Sequence, residues 1–118
     1  KLVHIFYLKG TFMKYIIDID GTICKKENNL DYEDCYPLKE RIKKINSLYD
    51  SGNTIVYFTA RGMGRFSDNA ELAIKSFKKL TQNQLSNWGC KYHQLILGKP
   101  SGDFYIDDKA INDKDFFI

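Results

Sequence analysis

The stretch "YIIDIDGTIC", Tyr15 to Cys24, closes an apolar run on Asp18 and Asp20 and then breaks at Gly21. Other short apolar runs also end on residues able to do chemistry. "TIVYFTA" carries Thr59, "DFYIDD" ends on Asp107 and Asp108, and Lys99 follows "QLILG" by one residue. If each run is a strand of one open α/β sheet, these groups converge at the carboxyl edge, where such sheets bind ligands. Carboxylates gathered there repel by roughly 4 kcal/mol for a pair at 4 Å and an effective dielectric of 20, so the cluster calls for a cation. No histidine or cysteine belongs to it, which makes a hard, oxygen-seeking Mg²⁺ the expected ion. Gly21 permits a tight turn whose N–H groups can face an anion, Thr59 adds a hydroxyl, and Lys99 and Arg61 add positive charge. These are the parts of a phosphoryl-transfer site, where positioning and charge neutralisation do most of the catalysis.

The elements that must position these groups are legible in outline. Tyr15, Ile16, Ile17 and Ile19 are apolar on both faces of a strand, as suits a parallel strand covered on each side. There, Asp18 and Asp20 share a face. "TIVYFTA" at 54–60, "QLILG" at 94–98 and "DFYIDD" at 103–108 read as three more buried strands. "YPLKERIKKINSLYDSG" reads as an amphipathic helix with Pro37 in its first turn, Leu38, Ile42, Ile45 and Leu48 or Tyr49 inward, and Gly52 as its stop. "SDNAELAIKSFKKL" offers Asp68 as N-cap with Glu71 three residues on, and Leu72, Ile74, Phe77 and Leu80 as the buried stripe. Thr81 and Gln84 repeat that capping pattern, so a bend or restart is expected there. This order predicts an α/β fold, a Rossmann-like three-layer sandwich with a mainly parallel sheet.

At 118 residues the chain is expected to form one domain over residues 13–118, with residues 1–12 as an N-terminal extension, since "MKYIID" would itself be a natural start. The net charge of +3 is modest and scattered. Lys39, Arg41, Lys43, Lys44, Lys78 and Lys79 read as solvated helix faces, and no nucleic-acid partner is expected. No apolar run is long enough to span a bilayer. Cys24, Cys35 and Cys90 are odd in number and form no C-x-x-C pair, which suits a reducing cytoplasm and small core residues rather than disulfides or zinc. His93 reads as structural.

"DIDGT" at 18–22, "FTARG" at 58–62, "GKP" at 98–100 and "YIDDKAIN" at 105–112 resemble the four ordered motifs of the haloacid dehalogenase superfamily phosphatases. Within it, the set is similar to short phosphatases of bacterial capsule and surface-polysaccharide biosynthesis. The resemblance implies that Asp18 attacks phosphorus to give an aspartyl phosphate, and that Asp20 protonates the leaving alcohol and then activates water. It implies that Thr59 and the Gly21 and Thr22 backbone hold phosphoryl oxygens, that Ala60 and Arg61 lie on the substrate side, and that Lys99 orients Asp18. Mg²⁺ would be held by Asp18, the Asp20 carbonyl, Asp107 and Asp108. Where the family motif often has Gly-Asp, this chain has Asp107-Asp108, which favours the second acid as the direct ligand.

Larger members of that superfamily insert a cap domain after the first or second motif. Neither gap here can hold one, so a capless site is expected. An open site admits a bulky substrate or is shielded by a second subunit, and a homo-oligomer is the expectation. The leading reading is a Mg²⁺-dependent phosphomonoesterase acting on a small phosphorylated metabolite. Two alternatives compete with it: a phosphatase for nucleic-acid ends or phosphoproteins, and a non-enzymatic phosphoaspartate switch.

Overall fold

The computed structural model describes residues 12–27 and 31–118. The expected extension falls, except for Phe12, outside the described residues. Three of the four anticipated strands form. β1 (Lys14–Ile17), β4 (Thr54–Thr59) and β5 (Gln94–Leu97) make a parallel sheet in the order β1-β4-β5. Ile16 lies opposite Val56, and Phe58 opposite Ile96. A helix, α1 (Lys39–Asp50), lies between β1 and β4 in sequence, and a longer one, α2 (Ala70–Asn87), between β4 and β5. These are the crossovers that parallel pairing requires. β2 (Cys24–Lys25) and β3 (Tyr36–Pro37) form a small antiparallel pair after the first turn, and α3 (Asp113–Phe116) closes the chain.

α1 forms as its periodicity dictates. Ile42, Ile45 and Leu48 are buried on one face, and Gly52, at φ 99°, ends the helix in the left-handed region that glycine tolerates. Its start differs. Pro37 sits opposite Cys24 in the small ladder, and Leu38 takes the N-cap position. Ile55, Val56 and Tyr57 are all buried, so the central strand is covered on both faces. Ile17, Ile19, Ile23, Ile55 and Tyr57 join the α1 stripe, Leu85 and Phe116 in one core.

The helix expectations are corrected at several points. α2 runs unbroken through Thr81, and its N-cap is Asn69, whose side chain accepts from Leu72 N–H at 3.1 Å. Its buried face is Ala73, Phe77, Thr81, Gln84 and Leu85, while Leu72 and Ile74 are 44 % and 38 % exposed. The polar members of that face are there to meet a buried cation described below. Nor are the basic residues of α1 all solvated. Arg41 pairs with Asp113 at 2.7 Å and donates to the Thr22 carbonyl at 3.0 Å, and Lys44 donates to the Phe116 carbonyl at 2.8 Å. These contacts hold α3 against the body.

The fourth strand is a further correction. Residues 103–108 form no strand and are exposed throughout. A parallel strand beside β1 needs a long connection from β5, and the chain provides only a few residues after Lys99. No helix among the described residues is long and apolar enough to cross a membrane.

Candidate active site

β1 ends at Ile17, so Asp18 and Asp20 lie just past the ladder, where the alternation of a strand no longer governs them. Ile19 between them is fully buried and anchors the turn. Its carbonyl accepts from the N–H groups of Thr22 and Ile23 at 3.0 and 2.9 Å, while Gly21 N–H donates to the Cys24 carbonyl at 2.8 Å. Gly21, at φ 83°, makes this turn available. The Gly21 and Thr22 N–H groups are therefore already satisfied inside the loop. The expected anion cradle from these two donors is corrected accordingly.

The two carboxylates occupy different surroundings. Asp18 is the accessible one, its side chain 35 % exposed. One oxygen accepts from the Thr22 hydroxyl at 3.0 Å and the other faces Lys99 Nζ at 3.5 Å. Lys99 reaches it because its own N–H is held by the Thr59 carbonyl at 3.2 Å, just past the end of β5. The Lys99 ammonium also lies 4.2 Å from the centre of the Tyr105 ring.

Asp20 is bound instead by Arg61. Nε donates to one oxygen at 2.9 Å and Nη2 to the other at 3.0 Å, a bidentate fork. The Arg61 side chain has no solvent exposure, against 26 % for Asp20. Its Nη1 donates to Thr81 Oγ1 at 3.1 Å and to Gln84 Oε1, and the Tyr32 ring lies 5.0 Å from its guanidinium carbon. Burial alone would push this guanidinium down, but the hydrogen bonds and charge of Asp20 outweigh it and hold it above its usual value. Arg61 is thus a buried positioning group, not the solvent-facing substrate contact expected from its motif.

Thr59 is 1 % exposed, and its hydroxyl accepts from Arg61 N–H at 3.1 Å. It lies beneath the site surface. Ala60 is half-buried, and its carbonyl accepts from Met63 N–H at 2.9 Å. Tyr32, absent from the sequence reading, ties the segment after β2 to this centre. Its hydroxyl accepts from Gly62 N–H at 3.2 Å and its carbonyl from Gln84 Nε2 at 2.7 Å. The helical spacing of Phe77, Thr81 and Gln84 was the available signal for this network.

Cys24 and Cys35 flank Asp20 at 3.5 and 3.6 Å. Burial, then the neighbouring Asp20, pushes both thiols up, so they stay protonated at neutral pH. Asp20, Cys24 and Cys35 are the only group of three or more potential ligands found together among the described residues. Two neutral thiols and a carboxylate already committed to arginine are a poor match for Mg²⁺.

Asp107 and Asp108 do not join Asp18. They are exposed, and the Asp107 carboxylate accepts from Lys109 N–H at 3.0 Å, which holds it below the usual carboxylate range. The anticipated gathering of four aspartates is therefore not formed within one chain, and each of the first two has a basic partner of its own. As arranged here, the residues do not fit a Mg²⁺ site.

His93 is structural. Its Nδ1 accepts from Ile55 N–H at 3.1 Å, and its ring stacks on Tyr49 at 4.6 Å. A concavity of about 310 Å³ lies over α1 and Trp88, lined by Lys39, Ile42 and Asp50 among others, with neither Asp18 nor Asp20 in its wall.

No family model and no curated protein matches the chain. Among solved structures, a structural-genomics target from Vibrio cholerae is similar at 28 % identity and a TM-score of 0.81, covering 90 % of this chain and 88 % of that one. Its name describes no activity. The fold class that stands is a small mixed α/β domain built on a three-stranded parallel sheet.

Proposed function

We propose that the chain is a phosphomonoester hydrolase of the haloacid dehalogenase type, acting on a small phosphorylated metabolite through an aspartyl phosphate. The observation that carries this reading is Asp18: an accessible carboxylate at the carboxyl edge of a parallel sheet, steadied by Thr22 and Lys99 on opposite oxygens. A carboxylate so held is pre-aimed for attack, and the lysine offsets charge as a phosphoryl group approaches. The order of "DIDGT", "FTARG", "GKP" and "YIDD" supports the same assignment.

In the first step an Asp18 oxygen bonds to phosphorus, and the departing alkoxide takes a proton from Asp20. In the second, Asp20 takes a proton from water, the hydroxide attacks phosphorus, and phosphate leaves with Asp18 restored. Both Asp20 oxygens accept from Arg61 in the present geometry, which corresponds to the base half of the cycle. The acid half requires one of those contacts to open. Arg61 is the group that sets where Asp20 stands.

Steady-state hydrolysis of p-nitrophenyl phosphate, with Mg²⁺ or with chelator, tests the reading on the wild-type chain and on Asp18→Asn. Turnover that disappears in the variant is the expected result. Unchanged turnover in Asp18→Asn refutes the nucleophile, and a phosphoaspartate that persists without turnover converts the protein into a switch.

A further inference from the structure

We propose that the protein functions as a dimer by strand exchange: residues 103–108 of each copy add a strand to the outer edge of β1 in the other. Asp107 and Asp108 of one copy are thereby brought to Asp18 of the other, a consequence that rests on the phosphatase reading, whereas the interface itself does not.

The donor segment is visible. Residues 98–112 connect β5 to α3 without helix or strand, and every residue from Ser101 to Asn112 is exposed. Connections of such length inside a compact domain are uncommon unless they have a task. Phe104 is 85 % exposed and Ile106 97 %, although "FYI" has the aromatic and β-branched make-up of a strand. Among the described residues, the hydrogen bonds of Tyr105, Asp107, Lys109 and Ala110 stay within this segment.

The acceptor is equally visible. β1 is an edge of the sheet, Ile16 on it is 63 % exposed, and no strand among the described residues pairs with its outer side. An open edge presenting an apolar side chain is a template for another strand.

Chain geometry selects a second copy over self-pairing. Lys99 is fixed at the carboxyl end of the sheet by Thr59 and Asp18, and Ser101 is tied to Asp68 through its N–H and hydroxyl at 3.3 and 2.8 Å. A strand parallel to β1 must begin at the opposite end, yet only Pro100, Ser101 and Gly102 separate Lys99 from Asp103. Fully extended, such a link reaches about 14 Å. That is roughly the length of β1 alone at about 3.3 Å per residue, with nothing left for the reversal. An antiparallel return fits the link but sends Asp107 and Asp108 to the end away from Asp18. A segment from another copy comes from a body that can be placed freely against this β1, so neither limit applies to its approach; Lys109 to Asn112 then span back to the α3 that Arg41 and Lys44 hold on its own body. It also provides the oxygen donors that one chain fails to assemble.

The test begins with the molar mass of the full chain in solution by light scattering, for wild type, Ile16→Lys and Ile106→Lys. A dimer that both lysines convert to monomer, with the circular dichroism unchanged, is the expected result. A monomeric wild type overturns the proposal, as does a dimer that survives both substitutions, including one in which residues 1–11 occupy the β1 edge. Leu72→Lys, at an exposed apolar position on α2, is expected to stay dimeric. Co-refolding Asp18→Asn with the Asp107→Asn/Asp108→Asn double variant then reads the shared site. Random pairing restores about a quarter of wild-type turnover if the aspartates act across the dimer. No restoration, with an active wild type, overturns that delivery. A wild type that hydrolyses no phosphate ester defeats the phosphatase reading instead, while the mass measurement still decides the exchange.

Discussion

Replacing Arg61 by methionine keeps most of the side-chain volume and removes the cation to which Asp20 is bound. Taking one partner from a buried ion pair costs about 3–5 kcal/mol, because the charge left behind has lost its compensation. Asp20 is 26 % exposed, so water recovers part of this and the lower end, about 3 kcal/mol, applies. Thr81 and Gln84 lose their donor at the same time. Thr81 still donates to the Phe77 carbonyl at 2.8 Å, so this second loss is limited to about 1 kcal/mol. The sum, about 4 kcal/mol, lowers the melting temperature by roughly 15 °C for a domain of this size. Urea titrations of Arg61→Met, Asp20→Asn and the double variant check the origin of the loss. If the bidentate pair is its source, the double variant is less destabilised than the two single changes added together. A loss below about 1 kcal/mol, or strict additivity, would falsify the buried-pair argument. The substrate-contact role expected from the motif makes the opposite prediction, a raised KM in a protein of normal stability.

Three other outcomes follow from the same geometry. Lys99→Met is expected to lower kcat by about 100-fold or more while changing stability by no more than about 1 kcal/mol, since the Lys99–Asp18 pair is partly solvated; parallel kinetics and thermal melts check both halves. Gly62→Ala is expected to cost roughly 1–3 kcal/mol in a urea titration, through overpacking and backbone strain. The residue sits at φ 80°, and an added Cβ would lie 2.7 Å from the Phe77 ring. Stability is also expected to fall on the alkaline side. Burial pushes Cys24, Cys35 and Tyr57 up and takes Cys90 to about 11. The folded state then binds these protons more tightly than the unfolded state, so the stabilisation is complete below the unfolded thiol range and is lost as pH rises through the folded values. Urea midpoints measured from pH 7 to 11 should be level at first and decline above about pH 9. A midpoint that rises with pH there would contradict the burial of the thiols.

Much of this protein is decided locally. The Ile42, Ile45 and Leu48 spacing with Gly52 behind it makes α1 whatever lies beyond, because an apolar stripe of that period can be buried only as a helix face. The apolar runs at 14–17, 54–59 and 94–97 are strands for the same kind of reason, and the turn after Asp18 needs little more than Gly21. What depends on partners distant in sequence was not readable from those patterns. Hydrophobicity marks Leu72 and Ile74 as the inner face of α2, yet Thr81 and Gln84 are buried because Arg61, brought in from the end of β4, requires acceptors. Arg61 itself turns inward because Asp20 offers both its oxygens. The sequence alone determined the three strands, α1 and the presence of paired aspartates beside a glycine turn. Only the tertiary structure decided that Asp18 is open with Lys99, that Asp20 is held by Arg61, and that "DFYIDD" stands outside the sheet, since a strand exists only where an edge lies within reach of the chain that would fill it.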